Sequence, residues 1–265
     1  MGLMQVNGVS LEVEQIAGEP GGQKPTLVFL HEGLGSVAMW NHKAGPWPQA
    51  LCAALGAPGL VYSRQGYGQS DTVPDVRGKG RHGPDFMHIQ ACEVLPALLH
   101  SLHIKHPVLV GHSDGGTIAL LHAARHLVSA CVVLAPHVKV EDVSIDSIEK
   151  ARAAFEQGEL RAKLQRFHAD VDMAFWQWCD VWLSQAFRSF DIRQQCRHIQ
   201  APVLALQGRQ DVYGTLAQIE EIEPAGFIQR TVLEACGHSP HRDQRETVTQ
   251  EIRSFLQQHV AALRS

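Results

Sequence analysis

One serine, one aspartate and one histidine in this chain have the types and the local setting for acyl transfer. Ser113 stands in Gly111-His112-Ser113-Asp114-Gly115-Gly116. A short apolar run at 107–110 precedes that segment and a helix-forming run at 117–125 follows it. Strand, Gly-x-Ser-x-Gly and helix in succession form a turn that exposes a serine hydroxyl. Small residues are needed at 111 and 115, because strand and helix nearly touch there. The turn sets Ser113 Oγ at the carboxyl edge of a sheet, where ligands bind in open α/β folds. It also places the Asp114 N–H at a helix N-terminus, aimed at an oxyanion on an acyl carbon. A serine hydroxyl is a weak nucleophile at neutral pH. It needs a base of pKa near 7, and that base needs an orienting acceptor. The run 204–211 reads as a strand ending in a turn that carries Asp211, and 233–240 as a strand ending in a loop that carries His238. Ser113 is therefore the predicted nucleophile, His238 its base and Asp211 the acceptor that orients the base.

A second oxyanion donor is expected from the glycine-rich loop His31-Glu32-Gly33-Leu34-Gly35-Ser36, which follows an apolar run. Leu34 N–H is the first choice and Gly33 N–H the second. Other residues compete for each role. With sixteen histidines, any one is cheap, and His241 is the nearest rival to His238 as base. Glu234 rivals Asp211 but falls inside a strand. His100, His103 and His106 straddle a helix end without cysteine or carboxylate partners, so no metal site is expected. Cys236 reads as a small buried residue, and Arg64 as a buried scaffold charge paired with a carboxylate. Asp114 has two readings. Asp is a leading helix-capping type, which favours a cap on a helix starting at Gly115. Alternatively its carboxylate faces the acyl pocket and receives a cationic group of the substrate.

These residues need a frame, and the hydrophobic pattern supplies one. Residues 4–6 and 11–13 alternate around Asn7-Gly8, a strong hairpin signal. Apolar runs at 26–30, 59–62, 130–134, 202–206 and 229–233 read as strands, several buried on both faces. Residues 86–102 have a helical pattern with Pro96 inside it, which predicts a kink or restart. Residues 247–263 close the chain as an amphipathic helix. Residues 137–200 break the alternation. They are helical and rich in aromatic residues, with three of the five tryptophans, Trp176, Trp178 and Trp182, close together. The expected organisation is one core, 1–136 and 201–265, with 137–200 as a helical cap over Ser113. The three tryptophans, with Gly33 and Asp114, are the expected substrate-binding residues.

Composition narrows the classes of function. The 265 residues carry a net charge of −4, with 45% hydrophobic and 19% charged residues. That balance suits one large α/β domain. It offers no basic footprint for nucleic acid and no polybasic patch for a membrane surface. No apolar run is long enough to span a bilayer. Six scattered cysteines without a Cys-x-x-Cys pair suit reduced thiols in a cytoplasm, and the first residues lack the pattern of a signal peptide.

Taken together, these segments resemble the α/β-hydrolase family in its capped, lipase- and esterase-like branch, over nearly the whole chain. The residues at 111–116 match that family's nucleophile elbow. His31 to Ser36 is similar to its His-Gly-x-Gly oxyanion loop, with the histidine displaced by one position. Gln65-Gly66-Tyr67-Gly68-Gln69-Ser70 resembles its Arg-Gly-x-Gly-x-Ser loop with Gln for Arg. Gln207-Gly208 with Asp211, and Cys236-Gly237-His238-Ser239, match its acid and histidine segments. The Ser-Asp-Gly-Gly elbow is also similar to valacyclovir-hydrolase-like enzymes and to hydrolases of aromatic breakdown. The resemblance implies a mostly parallel sheet flanked by helices, and hydrolysis of a small-molecule substrate through an acyl-enzyme without metal or organic cofactor. A carboxylic ester is the expected substrate. A C–C bond hydrolase or thioesterase with the same triad is an alternative, as is a non-catalytic small-molecule receptor on the same scaffold.

Overall fold

The computed structural model describes residues 1–21, 23–42 and 44–264. Eight strands form one sheet: β1 (Gly2–Val6), β2 (Val9–Ile16), β3 (Leu27–Leu30), β4 (Gly59–Tyr62), β5 (Val108–His112), β6 (Ala130–Leu134), β7 (Val203–Gly208) and β8 (Ile228–Leu233). Their spatial order is β1-β2-β4-β3-β5-β6-β7-β8. β1 and β2 pair antiparallel about Asn7-Gly8, where both residues have positive φ (51° and 80°). That is the conformation a two-residue hairpin turn requires. β2 joins β4 antiparallel, and every pairing from β4 to β8 is parallel.

The central strands are apolar at successive positions because the sheet is covered on both sides. Leu27 and Phe29 point into one core with Val108 and Val110, while Val28 and Leu30 point into the other with Leu109. The first core is closed by α1 (Trp47–Leu55) and by the C-terminal helix described below. The opposite face carries α2 (Phe86–Ile89), α3 (Leu95–Ser101) and α4 (Asp114–Ala123). A π-turn at Gln90–Val94 links α2 to α3 and places Pro96 in the first turn of α3. Pro96 lacks an N–H, and the widened turn before it absorbs the lost ladder bond.

Between β6 and β7 lie α5 (Asp142–Glu156), α6 (Glu159–Leu164), α7 (Val171–Trp182) and α8 (Arg193–Cys196). Asp170 caps α7, its carboxylate accepting the Met173 N–H at 2.9 Å. α7 buries Phe175, Trp178, Cys179 and Trp182. The short helices α9 (Ala217–Glu220) and α10 (Pro240–Asp243) follow, and α11 (Arg245–His259) closes the fold.

Candidate active site

Ser113 occupies the turn between β5 and α4 with φ 53° and ψ −121°. A non-glycine residue holds that conformation only where the surroundings over-determine it. Three contacts do so. The Ser113 N–H donates to the Leu134 carbonyl on β6 at 2.9 Å. A Cβ at Gly111 would overlap the Gly115 carbonyl, and one at Gly115 would overlap the Leu30 carbonyl. The two glycines let α4 press against β3 and β5, and that pressure lifts the serine out.

His238, in the loop after β8, reaches back to this turn. Its Nε2 lies 2.9 Å from Ser113 Oγ, and its Nδ1 lies 2.9 Å from both carboxylate oxygens of Asp211. Asp211 follows β7, and its oxygens also accept from Tyr213 N–H at 2.8 Å and Gln207 Nε2 at 3.2 Å. Burial alone would raise the Asp211 carboxyl. The bonds from His238 and Tyr213 outweigh it and hold the group below the usual carboxylate range. An ionised acceptor at Nδ1 keeps the Nδ1 proton in place and leaves the Nε2 lone pair facing the serine.

The rival residues sit elsewhere. His241 is buried against Trp40 and Trp47, with ring centroids 5.0 and 5.2 Å away. Glu234 pairs with Arg209 at the surface. Arg64 is buried, but its partners are carbonyls and not the expected carboxylate: Nη1 donates to His31 O at 2.7 Å and Nη2 to Glu32 O at 2.9 Å. The guanidinium thus fixes the 31–36 loop from below. Burial pushes the Cys236 thiol up to about 11. Among the described residues all six cysteines are free and no group of three or more His, Cys, Asp or Glu could hold a metal.

A cavity of about 110 Å³ opens over Ser113 and His238. Gly33, Leu34, Asp114, Trp178 and Trp182 line it, together with residues that were not expected: Glu32, His112, His137, Ile148, Tyr213 and Ser239. Gly33 backs directly onto the Trp178 indole, which a Cβ at that position would overlap. Among the described residues no acceptor is placed on the N–H groups of Gly33, Leu34 or Asp114. Trp176 is a correction. It packs on Phe155 and Phe175, and the Arg77 guanidinium covers its ring at 3.9 Å. Two residues apart on a helix is about 200°, so Trp176 cannot share the face of Trp178.

Asp114 is a second correction. It is the first residue of α4 and makes no capping bond; Ser113 holds the cap position. Its carboxylate is buried in the cavity wall, where Oδ2 accepts from Trp182 Nε1 at 3.5 Å and Oδ1 has no hydrogen-bond partner. Burial raises the group to about 6 against the opposing influence of Arg64. His137, whose ring lies 4.9 Å from Trp182, is pushed down to about 3, chiefly by burial.

Some of the unexpected residues carried a signal. His137 and Tyr213 follow the carboxyl ends of β6 and β7, the edge where such folds build their sites. Ile148, on α5, carried none.

A sequence profile of the alpha/beta hydrolase family matches residues 27–251. This chain belongs to that family. A relative from Bacillus subtilis (strain 168), the AB hydrolase superfamily protein YisY, is 22% identical over 93% of this hydrolase and 95% of its own length. Solved structures with the same fold include the enol-lactonase from Burkholderia xenovorans LB400, with TM-score 0.72, 20% identity and coverage of 96% and 99% of the two chains. A thermophilic esterase from Thermogutta terrifontis superposes with TM-score 0.71 at 19% identity, covering 98% of the hydrolase and 100% of the esterase. Among the described residues no helix is long and apolar enough to cross a membrane.

Proposed function

We propose that this hydrolase cleaves a small carboxylic ester through an acyl-enzyme on Ser113. The observation that carries the reading is the unbroken relay from Ser113 Oγ through His238 to Asp211, each step 2.9 Å. His238 Nε2 takes the hydroxyl proton as Oγ attacks the ester carbonyl. Asp211 stabilises the imidazolium that forms. The N–H groups of Asp114 and of Leu34 or Gly33 receive the oxyanion. His238 then returns the proton to the leaving alkoxide. In the second half it deprotonates a water that attacks the acyl carbon, then gives that proton to Ser113 Oγ as the Oγ–acyl bond breaks and the carboxylic acid is released.

The cavity argues for a small substrate. By the same measure one water needs about 10–15 Å³, so about 110 Å³ takes roughly seven to eleven heavy atoms. Segment 137–200 acts as a cap on the core formed by 1–136 and 201–265, with His137, Ile148, Trp178 and Trp182 as its contribution to the pocket. Asp114 anchors a cationic group of the substrate, because its unpartnered oxygen is buried where little water screens a charge. The six free thiols favour work in a reducing compartment such as the cytoplasm.

Short p-nitrophenyl esters and a fluorophosphonate probe test the reading. Wild type should turn the esters over and be labelled at Ser113. Ser113→Ala should fold normally, resist labelling and keep only the residual rate of a site without its nucleophile, about 10³–10⁴ over water. Near-native esterase activity in the alanine variant would refute the assignment. So would labelling of wild type without any turnover, the behaviour of a receptor.

A further inference from the structure

His112 touches the catalytic loop from behind, in a contact that the triad does not need for its proton relay. Its Nε2 lies 2.7 Å from the main-chain carbonyl oxygen of His238. A carbonyl only accepts, so Nε2 carries the proton and donates. The other ring nitrogen, Nδ1, lies 3.5 Å from Glu32 Oε2, a distance that makes an ion pair when the ring is protonated but not a hydrogen bond. Glu32 Oε1 meets Arg242 Nη2 at 3.1 Å, and the same Nη2 donates to Met39 O at 3.0 Å. Arg242 belongs to α10, directly after the His238 loop. Burial would raise the Glu32 carboxyl, but Arg242 and His112 hold it well below the usual carboxylate range. Glu32 is therefore a half-buried anion at which three segments meet: its own 31–36 loop, the elbow through His112, and the base loop through Arg242.

This arrangement answers a geometric need. β6 and β7 lie between β5, which carries Ser113, and β8, which precedes His238. The base loop must therefore reach back across two intervening strands, three spacings or roughly 14 Å at ordinary strand separation. A loop on such an arm drifts unless something near its tip holds it. The His112 bond lands on the peptide of His238 itself. The ring is in turn enclosed by the imidazoles of His238 and His241, with centroids 5.2 and 4.8 Å away, and by the Glu32 carboxylate.

We propose that His112, beside the Glu32 carboxylate, is a positioning residue that holds the His238 peptide so that Nε2 stays on Ser113 Oγ. The proposal rests on the ester-hydrolase reading for its kinetic consequence and stands apart from it structurally. A shift of about 1 Å in a catalytic group costs on the order of 10²-fold. His112→Ala should accordingly lower kcat by roughly 10–100-fold and leave KM within about threefold, since His112 acts through the base and not on the ester. His112→Gln, which keeps an N–H donor on a side chain of similar reach, should recover most of that loss. Glu32→Gln should show a partial loss of kcat. A second readout needs no substrate: the low-field proton resonance of His238 Nδ1–H, identified by its absence in His238→Gln. It should broaden or vanish in His112→Ala and persist in His112→Gln. If wild type proves inactive on every ester, the functional reading fails while this resonance still tests the positioning. An alanine variant with unchanged kcat and an unchanged resonance would overturn the proposal. So would a glutamine variant as impaired as alanine, because space filling and not the hydrogen bond would then be what matters.

Discussion

His168 ties the helical segment to the loop beside the nucleophile, and its bonding fixes its protonation state. Its Nδ1 accepts the Gly68 N–H at 3.0 Å, so that nitrogen has no proton, and its Nε2 donates to Leu34 O at 3.0 Å. Protonating the ring would replace the first bond with a clash of two donors. Burial, only partly offset by the Leu34 bond, lowers the group from 6.5 to about 4. Folding thus expels a proton between pH 6.5 and 4, where the unfolded chain binds one and the native state does not. Stability from this site is complete above about pH 6.5 and is lost as pH falls toward 4. At pH 5 the loss amounts to about 2 kcal/mol, since the unfolded form is then largely protonated and the native form is not. His168→Ala removes both bonds and leaves a buried N–H and a buried carbonyl short of a partner, costing about 2–4 kcal/mol at pH 7.5. The variant no longer expels the proton, so the gap between wild type and variant should shrink by about 2 kcal/mol at pH 5. Urea unfolding at the two pH values measures both gaps, and ionisations common to the two proteins cancel. An equal gap at both would refute the assigned tautomer.

Two further predictions follow from the pocket. Asp114→Asn removes a carboxylate that burial raises to about 6 from an ordinary 3.8. The penalty it carries is full above pH 6 and vanishes below about pH 4, so the variant should be more stable by up to ~3 kcal/mol at pH 8 and not at pH 4. If Asp114 also anchors a cation, the same variant should lose kcat/KM on an amino-acid ester and keep it on the des-amino analogue; equal losses on both would sink the anchor. His238→Ala should abolish esterase activity, whereas His241→Ala should retain far more of it at some cost in stability, because His241 packs against Trp40 and Trp47. Equal abolition by both would leave the choice of base unsupported.

The meeting of Ser113, Asp211 and His238 was legible because each lies in a short segment whose local pattern dictates its place: a strand, a tight turn and a side chain at the sheet's carboxyl edge. The strands were legible for the same reason, with boundaries moving by up to three residues. What stayed hidden depended on contacts between distant segments. Glu32 reads as a loop carboxylate until Arg242 and His112 are seen beside it. Arg64 reads as one half of an ion pair, yet three-dimensional packing offers it two carbonyls. Trp176 was misplaced for a different reason. Helical spacing already separates it from Trp178, and grouping it with the neighbouring tryptophans overrode that spacing. For Asp114 the residue type pointed to a cap, but the sharp elbow makes Ser113 the last non-helical residue and moves the carboxylate into the first turn.

The strand order has a consequence for how activity arises on folding. The relay joins the ends of β5, β7 and β8, and β6 must sit between them before the three side chains come together. The four helices between β6 and β7 lengthen the chain that must close before that pairing forms. Parallel pairing across such separations is slow, because the loop entropy is lost before the contacts form. The β1–β2 hairpin and the isolated helices can assemble locally and early. Nucleophile and base can meet only when the last parallel pair closes. Recovery of ester turnover should therefore lag recovery of helical signal during refolding, and catalysis would report completion of the sheet.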